Sequence, residues 1–135
     1  MYDITNKPEV RVFRGEDKGM LDSWWEAHNL PLIPLSSLPA TGYMVQGVAA
    51  GFLYLTNSDV AFIENYISNP KAIYVERQAA LDAVTARLIE CAMQNGYNYL
   101  VALTQSQAIY ERALRFGFSN AGAYQTMNKD LRKVG

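Results

Sequence analysis

The chain has 135 residues, half of them hydrophobic and 19% charged, with a formal net charge of −1. That length fits one domain, residues 1–135, in which roughly 68–70% of the unfolded surface is buried around one core, and a near-neutral chain without a basic run makes nucleic acid a poor partner. Cys91 is the only cysteine, which excludes an intrachain disulfide and a cysteine-based zinc site, so no metal centre is expected.

The opening MYDITNKPEV has no apolar core of the kind an export signal needs, and no later window reaches roughly eighteen uninterrupted apolar residues. No membrane segment is expected, and a reducing, cytoplasmic setting fits. In EVRVFRGED, Val10 and Val12 alternate with charged residues, which predicts a half-buried strand. Asp17 stands where an N-cap would start the helix DKGMLDSWWEAHN, with Met20, Leu21, Trp24 and Trp25 on one side. Adjacent tryptophans point different ways, so one is expected in the core and the other at its edge or an interface.

LPLIPLSSLPATG holds Pro31, Pro34 and Pro39, a density that forbids a long helix or a central strand and predicts an ordered loop lying on the body. YMVQ, AAGFLYLT and VAFIENYI then read as three short strands separated by turn residues, an antiparallel meander. Strict alternation on the last puts Phe62, Glu64 and Tyr66 on one face and Ala61, Ile63, Asn65 and Ile67 on the other.

After Asn69-Pro70, ERQAALDAVTARLIECAMQNG is helical, with Leu81, Val84, Leu88 and Cys91 as its buried stripe and Gly96 as its stop. Strand YNYLVALT, helix SQAIYERALRFG and a last strand in AGAYQTMNKDL follow, before the short tail LRKVG. The expected fold is α/β (α+β), a mixed, mainly antiparallel sheet with helices on both faces in the order β-α-β-β-β-α-β-α-β. The junction between the third meander strand and the long helix is the natural anion site, because a helix N-terminus offers unbonded N–H groups and a positive dipole end. His28, the sole histidine, has no partner for a metal site, and Cys91 reads as a buried structural thiol.

The element order, YISNP followed by ERQAALDAV, and the ending SQAIYERALRFGF resemble the GNAT superfamily of acyl-CoA-dependent N-acetyltransferases, and more loosely short GNAT-like proteins of tailed phages. The resemblance runs from about Val10 to Leu131. It implies acetyl-CoA as cofactor, with Ile67 and Ser68 along the pantetheine arm and Arg77, Gln78, Ala79 and Ala80 at the diphosphate. The family's loop has glycines where this chain has Ala80 and Asp82, and its acid tyrosine falls at Ala113, leaving Tyr110 as the nearest tyrosine. Glu64 is the candidate base. An amine of a small molecule or a protein is the implied acceptor, and edge strands and the two tryptophans offer ways to pair as a homodimer. A GNAT fold without catalysis, serving as a structural or interaction part of a phage particle for example, and an unrelated α/β binding domain are the alternatives.

Overall fold

The computed structural model describes residues 7–132; Lys133–Gly135, the end of the expected tail, lie outside the described residues, as do Met1–Asn6. Strands β1 (Arg11–Val12), β2 (Gly42–Val45), β3 (Ala49–Tyr54) and β4 (Val60–Ser68) are antiparallel neighbours, and β5 (Tyr99–Ala102) pairs with β4 in parallel, in the sheet order β1-β2-β3-β4-β5. Helices α1 (Lys18–Ala27), α2 (Tyr74–Gln94) and α3 (Gln107–Arg115) complete the fold. The meander is closed between β2 and β3 by a turn in which Val48 N–H bonds the Val45 carbonyl (2.9 Å) and Gly47 takes a φ of 74°, a conformation glycine adopts without strain.

Each sheet face carries its own apolar cluster. Under α1, Leu21, Trp24 and Trp25 meet Met44, Phe52 and Ile67; under α2, Val84, Leu88 and Cys91 meet Tyr43, Leu53 and Ile63. Both tryptophans are buried, at 4% and 2% exposure, where one was expected at an edge. The proline-rich loop explains the difference, since its Ile33 and Leu38 pack on the same cluster and give α1 a second wall. Asp17 also departs from its expected task. It does not cap α1; its carboxylate receives Arg14 N–H (2.8 Å) and a two-pronged ion pair from Arg11 (2.7 and 2.9 Å), which ties β1 to the start of α1. The Arg11 hydrogen bonds hold the Asp17 carboxyl below its ordinary pKa against the opposing effect of burial.

The stripe Leu81, Val84, Leu88 and Cys91 is buried as its spacing requires, and Gly96, at φ 82°, ends α2. The last expected strand is absent: between Ser119 and Asp130 the chain has no regular structure. Tyr124 and Thr126 are β-prone, but they pair with no strand of the sheet, and a strand without a partner is not stable.

Gly42 shows how tightly the α1 face is packed. A Cβ there would stand 2.5 Å from the ring of Phe52, which is fully buried and set edge-on against Phe13 with centroids 4.9 Å apart. Gly42→Ala is expected to cost about 1–3 kcal/mol by overpacking, read as a lower urea midpoint. Gly19→Ala is the control: nothing lies within 4 Å of its Cβ, and inside a helix alanine is better by about 0.5–1 kcal/mol.

Candidate functional site

β4 and β5 part company halfway. Their pairing runs from Val60↔Tyr99 to Ile63↔Ala102 and stops, while β4 continues through Glu64–Ser68 with no strand beside it on that edge. Strand residues turn their backbone groups alternately to either side. Asn69 N–H bonds the Val48 carbonyl on the β3 side, so Ser68 turns its backbone groups to the open side. There His28 Nε2 lies 2.9 Å from the Ser68 carbonyl, and since a carbonyl only accepts, Nε2 carries the proton. Ile67, one residue back, is buried in the cluster under α1.

A β-bulge sits at the same place. Phe52 opposes Glu64 and Ala50 opposes Ile67, leaving Gly51 to face both Asn65 and Tyr66, and Asn65 adopts a φ of 62°. The extra residue inverts the expected alternation. Phe62 and Glu64 stay on the α1 face, while Tyr66 turns to the α2 face; Gly51 makes room for its ring, for a Cβ there would meet Tyr66 at 2.9 Å and Val84 at 3.0 Å. Glu64 itself is exposed. Beside it, Asn65 Nδ2 donates to Tyr54 Oη (2.5 Å), which donates to the Ser37 carbonyl (3.1 Å), so the proline-rich loop is fastened to this part of the sheet. Burial, then the Glu64 charge, push the Tyr54 hydroxyl above its ordinary pKa.

The helix beyond the open edge begins at Tyr74, two residues before the sequence pattern. Arg77 N–H already bonds the Ile73 carbonyl (3.0 Å), so Arg77, Gln78, Ala79 and Ala80 lie within the helix ladder, and Ala80 points into the core with Val48 and Ala49. The unbonded amides of this terminus are those of Tyr74, Val75 and Glu76. No side chain caps them, because the N-cap position is Ile73. α3 differs: Ser106 Oγ accepts from Ile109 N–H there. Arg77 Nε is buried with no partner among the described residues.

Asp82 is turned away from that terminus. Its carboxylate receives Arg112 Nε (2.8 Å) and Arg115 (3.1 and 3.2 Å), and Arg112 also donates to Gln78 Oε1. Burial alone would raise the Asp82 pKa; the Arg115 and Arg112 hydrogen bonds outweigh it and hold the group below its ordinary value.

Between the parted strands the body narrows to a cavity of about 10 Å³, lined by Ile63, Tyr66, Ala102, Ile109, Arg112 and Ala113 among others. Tyr110 is not in that lining; its hydroxyl lies 3.4 Å from Asn120 Nδ2. The hydroxyl-bearing residues that do line it are Thr85 and Tyr66, the latter one that regular alternation had placed on the other face. Thr85 Oγ1 donates to the Leu81 carbonyl (2.8 Å), so at the 2.9 Å Tyr66–Thr85 contact the tyrosine is the donor. Burial pushes its pKa up to about 12.

No protein-family model matches the chain, and no curated protein matches it in sequence. Solved structures do match in shape. A Trypanosoma brucei acetyltransferase shares 17% identity at a TM-score of 0.61, with 91% of this chain and 99% of that one covered. Rv2747 of Mycobacterium tuberculosis, in complex with CoA and NLQ, shares 19% at 0.67 over 89% and 76%. A predicted acetyltransferase of Clostridium acetobutylicum, with acetyl-CoA, shares 13% at 0.63 over 89% and 95%. This chain has the GNAT fold. At these identities the GNAT likeness is one of architecture: a single mixed five-stranded sheet with three helices.

Proposed function

We propose that the chain is a GNAT-type N-acyltransferase that moves an acetyl group from acetyl-CoA to an amine of a small molecule or a protein. The observation that carries this reading is the parting of β4 from β5 directly before a long helix whose first-turn amides are uncapped. The residues fit the cofactor in kind: Ser68 turns its N–H to the open edge, and the amides of Tyr74, Val75 and Glu76 offer an anion donors at the positive end of the helix dipole, with Arg77 next in the chain adding a positive charge. Bound there, the cofactor supplies an activated thioester. Exposed Glu64, on the flank that carries Tyr54 and the proline-rich loop, takes the proton of the incoming amine, directly or through a water. Asp82, paired with two arginines and about 12 Å further along the helix axis than Tyr74, does not oppose the anion.

Acetyl-CoA binding, followed by thermal unfolding and calorimetry, tests this reading. At one hundred times its dissociation constant the ligand is expected to stabilise the fold by about 2.7 kcal/mol. Ile73→Asp adds a capping carboxylate at a residue with suitable extended backbone (φ −67°, ψ 152°), so it is expected to stabilise the free protein by about 1 kcal/mol while weakening acetyl-CoA at least about tenfold, which corresponds to about 1.4 kcal/mol. Equal affinity in the two proteins would move the anion site elsewhere.

A second reading, a GNAT fold kept as a structural or interaction part, in a phage particle for example, is favoured by Ala113 in place of a hydroxyl and by the 10 Å³ cavity between the parted strands. No response to millimolar acetyl-CoA would leave that reading in its place.

A further inference from the structure

The flank that carries Glu64 has a polarity of its own. From residue 19 to residue 70, a stretch that takes in nearly all of α1, the proline-rich loop and strands β2 to β4, the chain has no lysine and no arginine; its charged side chains are the carboxylates Asp22, Glu26, Asp59 and Glu64. Just ahead of that stretch Arg11 is held by Asp17, and Lys18 by Asp22. Basic side chains resume at Lys71 and Arg77, around the helix terminus where the acyltransferase reading puts the anion of the cofactor.

The proline-rich loop forms a wall along Glu64. One end is fastened where His28 Nε2 donates to the Ser68 carbonyl (2.9 Å), the other where Tyr54 Oη donates to the Ser37 carbonyl (3.1 Å), and Tyr54 stands opposite Phe62. Glu64 lies between Phe62 and Ser68 on β4, so the two fastenings bracket it. Ile33 and Leu38 turn inward to the cluster under α1, on the sheet face that Glu64 shares with its strand partner Phe52. Between the fastenings Leu30 and Leu32 stay 48% and 46% exposed, and Pro31 and Pro34 restrict the backbone around them, so that the wall is set before anything binds. An exposed carboxylate with no partner among the described residues, beside half-exposed leucines, complements a cation on an apolar body; it repels an anion, which no lysine or arginine of this stretch neutralises. We propose that this flank is a subsite for a primary amine with an apolar body and no carboxylate or phosphate, its ammonium at Glu64 and its body along Leu30 and Leu32. That this amine is the acetyl acceptor rests on the acyltransferase reading, but the selection is made in binding and is measurable without transfer.

The experiment titrates hexylamine and 6-aminohexanoate, which differ in a methyl against a carboxylate at the far end, into the isotope-labelled full chain at neutral pH and follows the backbone amide shifts. Hexylamine is expected to move amides of residues 29–37 and those of Glu64 and Asn65, and to bind at least about tenfold more tightly than 6-aminohexanoate. Leu32→Arg, at a half-exposed position midway between the fastenings, is expected to remove or reverse that preference with the Tm unchanged. Equal binding of the two amines, no hexylamine shifts on this flank at millimolar concentration, or a preference that survives Leu32→Arg overturns the proposal. Failure of the acyltransferase reading looks different: hexylamine binds here with the expected preference while acetyl-CoA neither binds nor gives up its acetyl group to it, a result that supports the amine subsite and removes the transfer.

Discussion

Asp82→Ala is expected to destabilise the protein by about 1–3 kcal/mol or more, the cost of leaving a buried donor without its partner, and by more than Arg112→Met. The two changes are not mirror images. Arg112 is 3% exposed while the Asp82 side chain is 34% exposed, so removing the carboxylate strands a guanidinium inside the protein with only Gln78 to receive it. Removing the arginine leaves Asp82 with Arg115 and with water, and methionine fills the vacated volume. Urea unfolding of both variants checks the order, and equal losses would show that Arg112 draws its stability from packing instead. The pair also sets an acid dependence. The folded Asp82 pKa lies below the unfolded value of about 3.9, so its stabilisation is fully present above that value and is lost as the pH falls through the folded one. Asp17 titrates in the same direction. Asp82→Ala should therefore make the acid limb of the stability profile shallower without abolishing it.

How much of this was legible beforehand differs by element, for physical reasons. The meander and the buried stripe of α2 are local patterns, period two and period three to four, and the chain follows both. The bulge at Asn65 is a different matter. It depends on Gly51 of the neighbouring strand admitting the Tyr66 ring, and nothing in VAFIENYIS marks it except an asparagine, a residue that tolerates positive φ. One inserted residue was enough to turn Tyr66 away from the face that keeps Glu64, which removed Tyr66 from view as a lining residue. The start of α2 was misjudged because Tyr74 and Val75 have no charge and follow no cap, so the helical pattern is visible only from Glu76 onward; the apolar N-cap that hid the boundary is also what leaves the terminus open. Asp82 was legible as a charge and not as a partner, since Arg112 stands thirty residues away in sequence.

Glu64→Gln is expected to lower kcat/KM for acetyl transfer by about a hundred- to ten-thousandfold, the usual contribution of a general base, and to leave both Tm and acetyl-CoA affinity unchanged. Fold and binding should be indifferent because Glu64 is exposed, makes no hydrogen bond or ion pair among the described residues, and lies on the opposite sheet face from α2. The amide keeps the shape and loses the proton-accepting oxygen, so the loss isolates basicity. Raising the pH should restore activity to the variant more than to the parent, because an amine that arrives already deprotonated no longer needs the carboxylate. Tyr54→Phe is the companion measurement. It removes the hydroxyl that links Asn65 to the Ser37 carbonyl without touching Glu64, so it should loosen the proline-rich loop and raise KM for the amine more than it lowers kcat. If Glu64→Gln instead acts on KM alone, the carboxylate holds the ammonium of the acceptor and the proton leaves by another route.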